Sequence, residues 1–255
     1  MRVLMMGDVV GKPGRRAIQA VVPGLRREMG IDLVIANGEN IAGGLGMTPE
    51  AAREMLQSGV DVLTAGNHVW DNRAIIPYME GELPILRPVN FPPADPGRGW
   101  MIFKDVLIIN VIGRVFMSNV DDPFRAVDRA LEEARGEAAV VIVECHAEAT
   151  SEKGAMGWYL NGRVSAVIGT HTHVGTVDAR VLPQGTAFVT DIGMVGPRDS
   201  IIGNTPADVL QRFRTQVKGR LGIPEGPVLF HSVLIDVDEM TGKARSIIRI
   251  DKEVP

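Results

Sequence analysis

Cysteine, aromatic residues and excess positive charge are all scarce in this chain, and each scarcity closes off a class of protein. Cys145 is the only cysteine among 255 residues, so no intramolecular disulfide can form and a reducing compartment, the cytosol, is expected. Lys and Arg number 27 against 31 Asp and Glu, a net charge of −4. That balance lacks the basic stripe with which duplex-DNA binders meet phosphates. Two tyrosines, three tryptophans and seven phenylalanines leave few platforms on which a base could stack. No apolar run approaches the roughly 20 residues that cross a bilayer, and the apolar start at 1–6 meets Gly7-Asp8 without the longer core and cleavage site of a signal peptide. No membrane partner is expected.

What is present reads as one large α/β domain spanning 1–255. Hydrophobic residues at 45% and charged residues at 23% are ordinary for a chain with a sizeable core and exclude disorder. Apolar stretches at 3–6, 33–36, 60–64, 106–111, 140–143 and 164–168 are β-branched or aliphatic on both faces and end in turn residues, as buried strands do. Thr48 followed by Pro49 predicts a helix running to Leu56 and stopped at Gly59. Asp122-Pro123 predicts another with Phe124, Val127, Ala130 and Leu131 on its buried face. Asp71 is read as the cap of a helix over 72–79, and Ser151-Glu152-Lys153 as the opening of one reaching Leu160. After His173 the strands at 177–182 and 187–190, and at 228–237 and 244–250, are joined by turns too short for crossover helices. The expected fold is therefore a mixed β-sandwich flanked by helices. The five-proline stretch 84–99 reads as an irregular surface excursion.

Four of the five histidines stand at or just beyond apolar runs, in Gly66-Asn67-His68, Glu144-Cys145-His146 and Gly169-Thr170-His171-Thr172-His173. Two further run ends carry acids, Gly7-Asp8 and Gly38-Glu39-Asn40. Strand ends of this kind are where α/β folds present ligands. Two carboxylates, two amides and four imidazoles brought together would suit a pair of divalent ions, with a carboxylate such as Glu39 as the bridge. Imidazole and carboxylate favour zinc, iron or manganese over the all-oxygen shells of calcium and magnesium. His231 lacks an acidic or glycine-bracketed context and reads as a strand histidine. Cys145 would point away from its neighbour His146 in a strand and reads as a small core residue.

In their order, Asp8, Glu39-Asn40, Gly66-Asn67-His68, His146 and Gly169-Thr170-His171-Thr172-His173 resemble the motifs of calcineurin-like metallophosphoesterases. Position 10 is Val where most of that superfamily has the histidine of Asp-x-His, and Gly38-Glu39-Asn40 replaces the usual Gly-Asp-x-x-Asp. Both departures, with His-Ala-Glu-Ala-Thr-Ser-Glu-Lys at 146–153, resemble the bacterial YmdB-like phosphodiesterase subfamily nearly end to end.

The resemblance implies a four-layer α/β/β/α fold and a binuclear site. One ion would be held by Asp8, Glu39, Asn40 and His173, and the other by Glu39, Asn67, His146 and His171, with His68 as general acid. An amide at Asn40 in place of imidazole shifts the expected metals toward iron or manganese, with zinc also compatible. The implied chemistry is attack by a metal-bridging hydroxide on a phosphodiester, and the implied substrate is a cyclic nucleotide of the 2′,3′-cyclic AMP type.

Two other readings use the same residues: a metal-dependent hydrolase of another bond, and a regulatory nucleotide- or RNA-binding protein with incidental turnover. Trp70, Trp158 and Tyr159 are candidate stacking residues, with core packing as the alternative. The glycine-rich 43–48 stretch invites an anion-binding reading but lacks the ending of a P-loop. Arg198 is a candidate phosphate contact, with a solvated loop arginine as the default. Self-association into a homo-oligomer is compatible with an α/β sandwich.

Overall fold

A computed structural model describes residues 1–215, 217 and 219–255. Its first sheet orders the strands Ala244–Arg249, Ser232–Val237, Arg2–Met6, Leu33–Asn37, Val62–Thr64 and Ile85–Leu86. The second orders Arg180–Val181, Ala187–Val189, Ala166–Thr170, Val140–His146, Val106–Ile112 and Trp100–Phe103. A small third sheet joins Lys252–Val254, Val228–Phe230, Met194–Pro197 and Asp8–Val9. In each large sheet the central strands are parallel and antiparallel pairs close an edge, which is the mixed architecture expected from long connections early in the chain and short turns late.

Side chains alternate across each strand, so every central strand must be covered twice. Val3, Met5, Leu33 and Ile35 of the first sheet share one core with Ile108, Ile142 and Ile168 of the second. On the outer face Leu4, Met6, Val34 and Ala36 pack against Ile18, Val22 and Leu25 of the helix Gly11–Met29 and Met55 of the helix Pro49–Gln57. Leu107, Ile109, Val141 and Val143 meet Val127 and Ala130 of Pro123–Glu133 and Met156 of Thr150–Tyr159. The order is helix, sheet, sheet, helix. Cys145 lies in this last layer, on the opposite face from His146, and burial pushes its thiol up to about 12.

Local chemistry explains the helix starts. Thr48 accepts from the Ala51 N–H at 3.2 Å with Pro49 next, and Asp122 accepts from Phe124 and Arg125 at 2.9 and 3.2 Å ahead of Pro123. Elsewhere the structure corrects the sequence reading. Asn72, not Asp71, caps the short 3₁₀ turn Arg73–Ile75 that leads into Ile76–Met79, because the Asp71 carboxylate is taken by His68. The helix before Leu160 begins at Thr150 with no side-chain cap, a residue ahead of Ser151. The 84–99 stretch begins as the buried edge strand Ile85–Leu86, and Arg87 is buried beside it, bonded to the Gly97 and Pro88 carbonyls. His231 falls in the break between Val228–Phe230 and Ser232–Val237 rather than inside one strand. Two helices, Gly11–Met29 and Pro206–Thr215, have no counterpart in the sequence reading. No helix among the described residues is long and apolar enough to cross a membrane.

The parallel strands run to a common edge. Asp8 follows Arg2–Met6, Glu39 and Asn40 follow Leu33–Asn37, Asn67 and His68 follow Val62–Thr64, His146 ends its strand, and His171 follows Ala166–Thr170.

Candidate metal centre

Three donor atoms converge on one edge of the His146 ring. Its Nε2 lies 3.1 Å from Glu39 Oε1, 3.2 Å from Asn67 Oδ1 and 3.0 Å from His171 Nδ1. Ligand atoms of Glu39, His146 and His171 all lie within 4.8 Å of one another. Beside them, Asp8 Oδ1 lies 3.8 Å from His146 Nδ1 and 3.9 Å from His173 Nε2. Asp8, Glu39 and His146 are essentially without solvent contact, while the His171 and His173 rings are partly open to a cavity also lined by Glu39, Asn40 and His68. The structure thus gathers Asp8, Glu39, Asn40, Asn67, His146, His171 and His173 at one place, with His68 at its edge.

Asp8 Oδ1 and Asn40 Oδ1 are buried acceptors without a hydrogen-bond partner. Orphans of this kind are costly, and a cation between them would satisfy both. The donors are carboxylate and amide oxygens and imidazole nitrogens with no thiolate, a set suited to a transition metal. Electrostatics agree. Burial raises the Asp8 carboxyl above its usual range despite the neighbouring His173 and His146. Burial acts on Glu39 in the same direction, but His146 overrides it and holds the carboxyl down at about 2. The same ion pair overcomes the desolvation of His146 and lifts it to about 9, whereas burial and the His146 charge push His171 down to about 3.

A supporting layer fixes these groups. Thr170 donates its hydroxyl to Glu144 Oε1 at 2.7 Å and stands 3.0 Å from His146 Nδ1, so that Nδ1–H donates to Thr170 and Nε2 faces the donor cluster. Asn37 also donates to Glu144, at 2.7 Å. Burial raises Glu144 to about 7 against the pull of His146, Asn37 and Thr170. His171 and His173 have φ of 96° and 64°, a region side chains rarely enter. The turn is pinned in that conformation: the His171 N–H donates to Asp8 Oδ2 at 3.0 Å, and Thr172 donates its N–H and hydroxyl to Asp191. Asp191 in turn pairs with fully buried Lys153 at 2.8 Å, and Lys153 also donates to the Thr170 carbonyl. Glu148 reaches the other side of the His171 ring, Oε2 to Nε2 at 3.1 Å.

His68 stands apart from the donors. Its backbone N–H donates to Glu39 Oε2 at 3.1 Å, its ring Nδ1 is 2.8 Å from Asp71 Oδ2, and the side chain lines the cavity. The glycine-rich segment after Asn40 serves the centre by holding that side chain, since Asn40 Nδ2 donates to the Gly44 carbonyl at 2.9 Å. Other singled-out residues lie elsewhere. Arg198 is paired with Asp199 and Glu253, Trp70 packs on Phe91, and Tyr159 bonds Asp128. Sequence reasoning missed Asn37, Glu144, Glu148, Lys153, Thr170 and Asp191. Glu144, two residues before His146 and therefore on the same strand face, and Glu148, Lys153 and Thr170, which lie inside the quoted stretches 146–153 and 169–173, carried signals that could have found them, whereas Asn37 and Asp191 carried none.

The chain has relatives. A Bacillus subtilis protein named 2′,3′-cyclic-nucleotide 2′-phosphodiesterase is 44% identical over 254 residues, 98% of this chain and 96% of that protein. A crystal structure of a hypothetical protein from Thermus thermophilus superposes with a TM-score of 0.95 at 44% identity over 100% of both chains. That of a novel phosphatase from Mycoplasma pneumoniae gives 0.93 at 29% identity, over 99% of this chain and 93% of the other. The model of the family described as YmdB-like protein matches residues 4–250, and the chain belongs to that family.

Proposed function

We propose that this chain is a metal-dependent phosphodiesterase acting on a small phosphodiester of the 2′,3′-cyclic nucleotide type, in the cytosol. The observation that carries the reading is the gathering of seven donor residues at one place, four of which, Glu39, Asn40, His171 and His173, line the cavity, with Asp8 Oδ1 and Asn40 Oδ1 left unpartnered. The B. subtilis relative's name supports the substrate class. Asp8, Glu39, Asn40 and His173 would hold one divalent ion and Glu39, Asn67, His146 and His171 the other, with iron or manganese preferred. When bound, such ions supply Lewis acidity at phosphorus and activate water near neutral pH.

The chain's own residues do the rest. Glu39 has two oxygens, one facing His146 and one accepting from the His68 N–H, so it ties the donor cluster to the acid's backbone. His68, with Asp71 fixing its Nδ1, presents Nε2 as the proton donor to the leaving oxygen. Glu144 and Thr170 keep the His146 proton on Nδ1, and the Lys153–Asp191 pair holds the His171–His173 turn.

Elemental analysis together with hydrolysis of bis-p-nitrophenyl phosphate and 2′,3′-cyclic AMP, before and after adding manganese or iron, tests the reading. About two ions per chain and metal-dependent product release are expected. Metal without turnover of either substrate overturns the phosphodiesterase assignment, and no metal under any loading condition overturns the centre itself.

A further inference from the structure

The cavity over the centre has a volume of about 620 Å³ and reaches past the donor residues. Beyond them it is lined by Leu45, Ile202 and Leu221 and by two arginines, Arg212 and Arg220. Arg212 lies in the last turn of Pro206–Thr215, and Arg220 lies in the segment that follows. Other surface arginines of the chain, such as Arg198, Arg245 and Arg249, are spent on carboxylates. Arg212 and Arg220 form no ion pair among the described residues. The nearby acid Asp208, one turn before Arg212, accepts at its Oδ2 from the Gly222 N–H at 2.9 Å. Of the two acids in the cavity wall, Glu39 belongs to the donor cluster and Glu148 is engaged by His171.

The segment carrying Arg220 is anchored against the centre. Thr205 donates to the Gly222 carbonyl at 2.8 Å, and the Ile223 side chain packs so closely on the turn after Asn40 that a Cβ at Gly44 would stand 3.2 Å from its Cδ1. The arginines therefore share a frame with Asn40, one of the donors. The chemistry of the cavity is divided: nitrogen and oxygen donors suited to cations on one part, two guanidinium groups beside an apolar wall on another. A scissile phosphodiester at the donors leaves the guanidinium groups free for another planar or tetrahedral anion, which arginine grips through paired N–H donors.

We propose that Arg212 and Arg220 form a second phosphate subsite. The preferred ligand is then a nucleotide with a phosphoryl group besides the scissile one, such as a 5′-phosphorylated 2′,3′-cyclic nucleotide or the cyclic-phosphate end of an oligonucleotide, in preference to a bare mononucleotide. The scissile half of this inference rests on the phosphodiesterase reading, and the subsite itself does not.

Binding and turnover separate the two. Calorimetric titration of the metal-loaded protein with adenosine 3′,5′-bisphosphate, 3′-AMP and 5′-AMP should show the bisphosphate bound about tenfold more tightly than either monophosphate, the advantage expected of one added charge-assisted contact. In the Arg212→Gln/Arg220→Gln double variant the advantage over 3′-AMP should disappear. Both side chains are exposed, and a melting curve matching the parent's verifies the fold. With 2′,3′-cyclic AMP and its 5′-phosphorylated form as substrates, kcat/KM should favour the latter by a similar factor in the parent only. Equal binding of mono- and bisphosphates by the parent overturns the subsite whatever the variant does. A preference that survives in the double variant overturns its assignment to these arginines. Tight bisphosphate binding that depends on the arginines, without hydrolysis of either cyclic nucleotide, upholds the subsite and overturns the phosphodiesterase reading.

Discussion

His146 Nε2 and Glu39 Oε1 stand 3.1 Å apart at the ends of strands from two different sheets, each side chain at most 1% exposed. Burial opposes both charges, yet the pair holds His146 up at about 9 and Glu39 down at about 2 when no cation is bound. The His146 part of this stabilisation is complete below its ordinary pKa of 6.5 and is lost as pH rises through about 9. The Glu39 part is complete above 4.5 and is lost as pH falls through about 2. The melting temperature of the metal-free chain should therefore fall between pH 7 and pH 9, in the window set by the His146 shift.

Loading a cation onto the same residues requires His146 to give up that proton. Metal affinity should strengthen as pH rises from 6.5 toward 9, with close to one proton released per chain at the lower end. Titration calorimetry in buffers of differing ionisation enthalpy reads the proton count directly. An affinity independent of pH over this range, with no proton release, would remove His146 from the ligand set.

His68→Ala should lower turnover by about 10²–10⁴-fold, the usual contribution of a positioned general acid, while leaving metal content at the parent's value, because its ring bonds Asp71 and not the donor cluster. Asp71→Asn should have a smaller effect in the same direction, about tenfold, since the His68 ring keeps its place but loses its charged anchor. A His68→Ala protein with undiminished turnover would assign the proton elsewhere.

How much of this was legible in the sequence follows from the range of each signal. Thr48-Pro49 and Asp122-Pro123 are local cap chemistry and stand where the sequence puts them. The strand-end donors were legible because each carries its own glycine- or acid-flanked context. The helix Gly11–Met29 was not, although Ala17, Ile18, Val22 and Leu25 form its buried stripe, because Gly11, Pro13, Gly14, Pro23 and Gly24 disguise it with residues that elsewhere end helices. The cap at Asn72 was missed for a different reason: a tertiary partner, His68, claims the Asp71 carboxylate. Lys153 and Asp191 lie far apart in sequence with nothing periodic to join them, and an isolated lysine gives no sign that it will be buried.

That buried pair should be costly to break. Lys153 and Asp191 are both fully enclosed, and Asp191 also anchors Thr172 and Gly193. Lys153→Met would leave an uncompensated carboxylate and should destabilise by about 3–5 kcal/mol in chemical denaturation. Lys153→Met/Asp191→Asn should recover part of that loss, because the unpaired charge is gone. A double variant no more stable than the single one would show that the turn's hydrogen bonds, and not the charge, dominate the cost.

Gly66 tests how tightly the centre is drawn together. A Cβ there would overlap Cδ2 and Nε2 of His146 and stand 2.6 Å from Oε2 of Glu39, so Gly66→Ala must displace the imidazole or the carboxylate. Overpacking of this kind costs about 1–3 kcal/mol, and a displacement near 1 Å at a reacting group lowers rates by about 10²-fold. Metal content and turnover should both fall while circular dichroism still reports the native sheet and helix content. Gly154→Ala is the matched control. It lies in the helix Thr150–Tyr159, and a Cβ added there would meet no atom within 4 Å, so the substitution should raise stability by about 0.5–1 kcal/mol and leave the metal untouched. If Gly66→Ala kept full metal content and full turnover, the close approach of His146 and Glu39 would be incidental to what the site does.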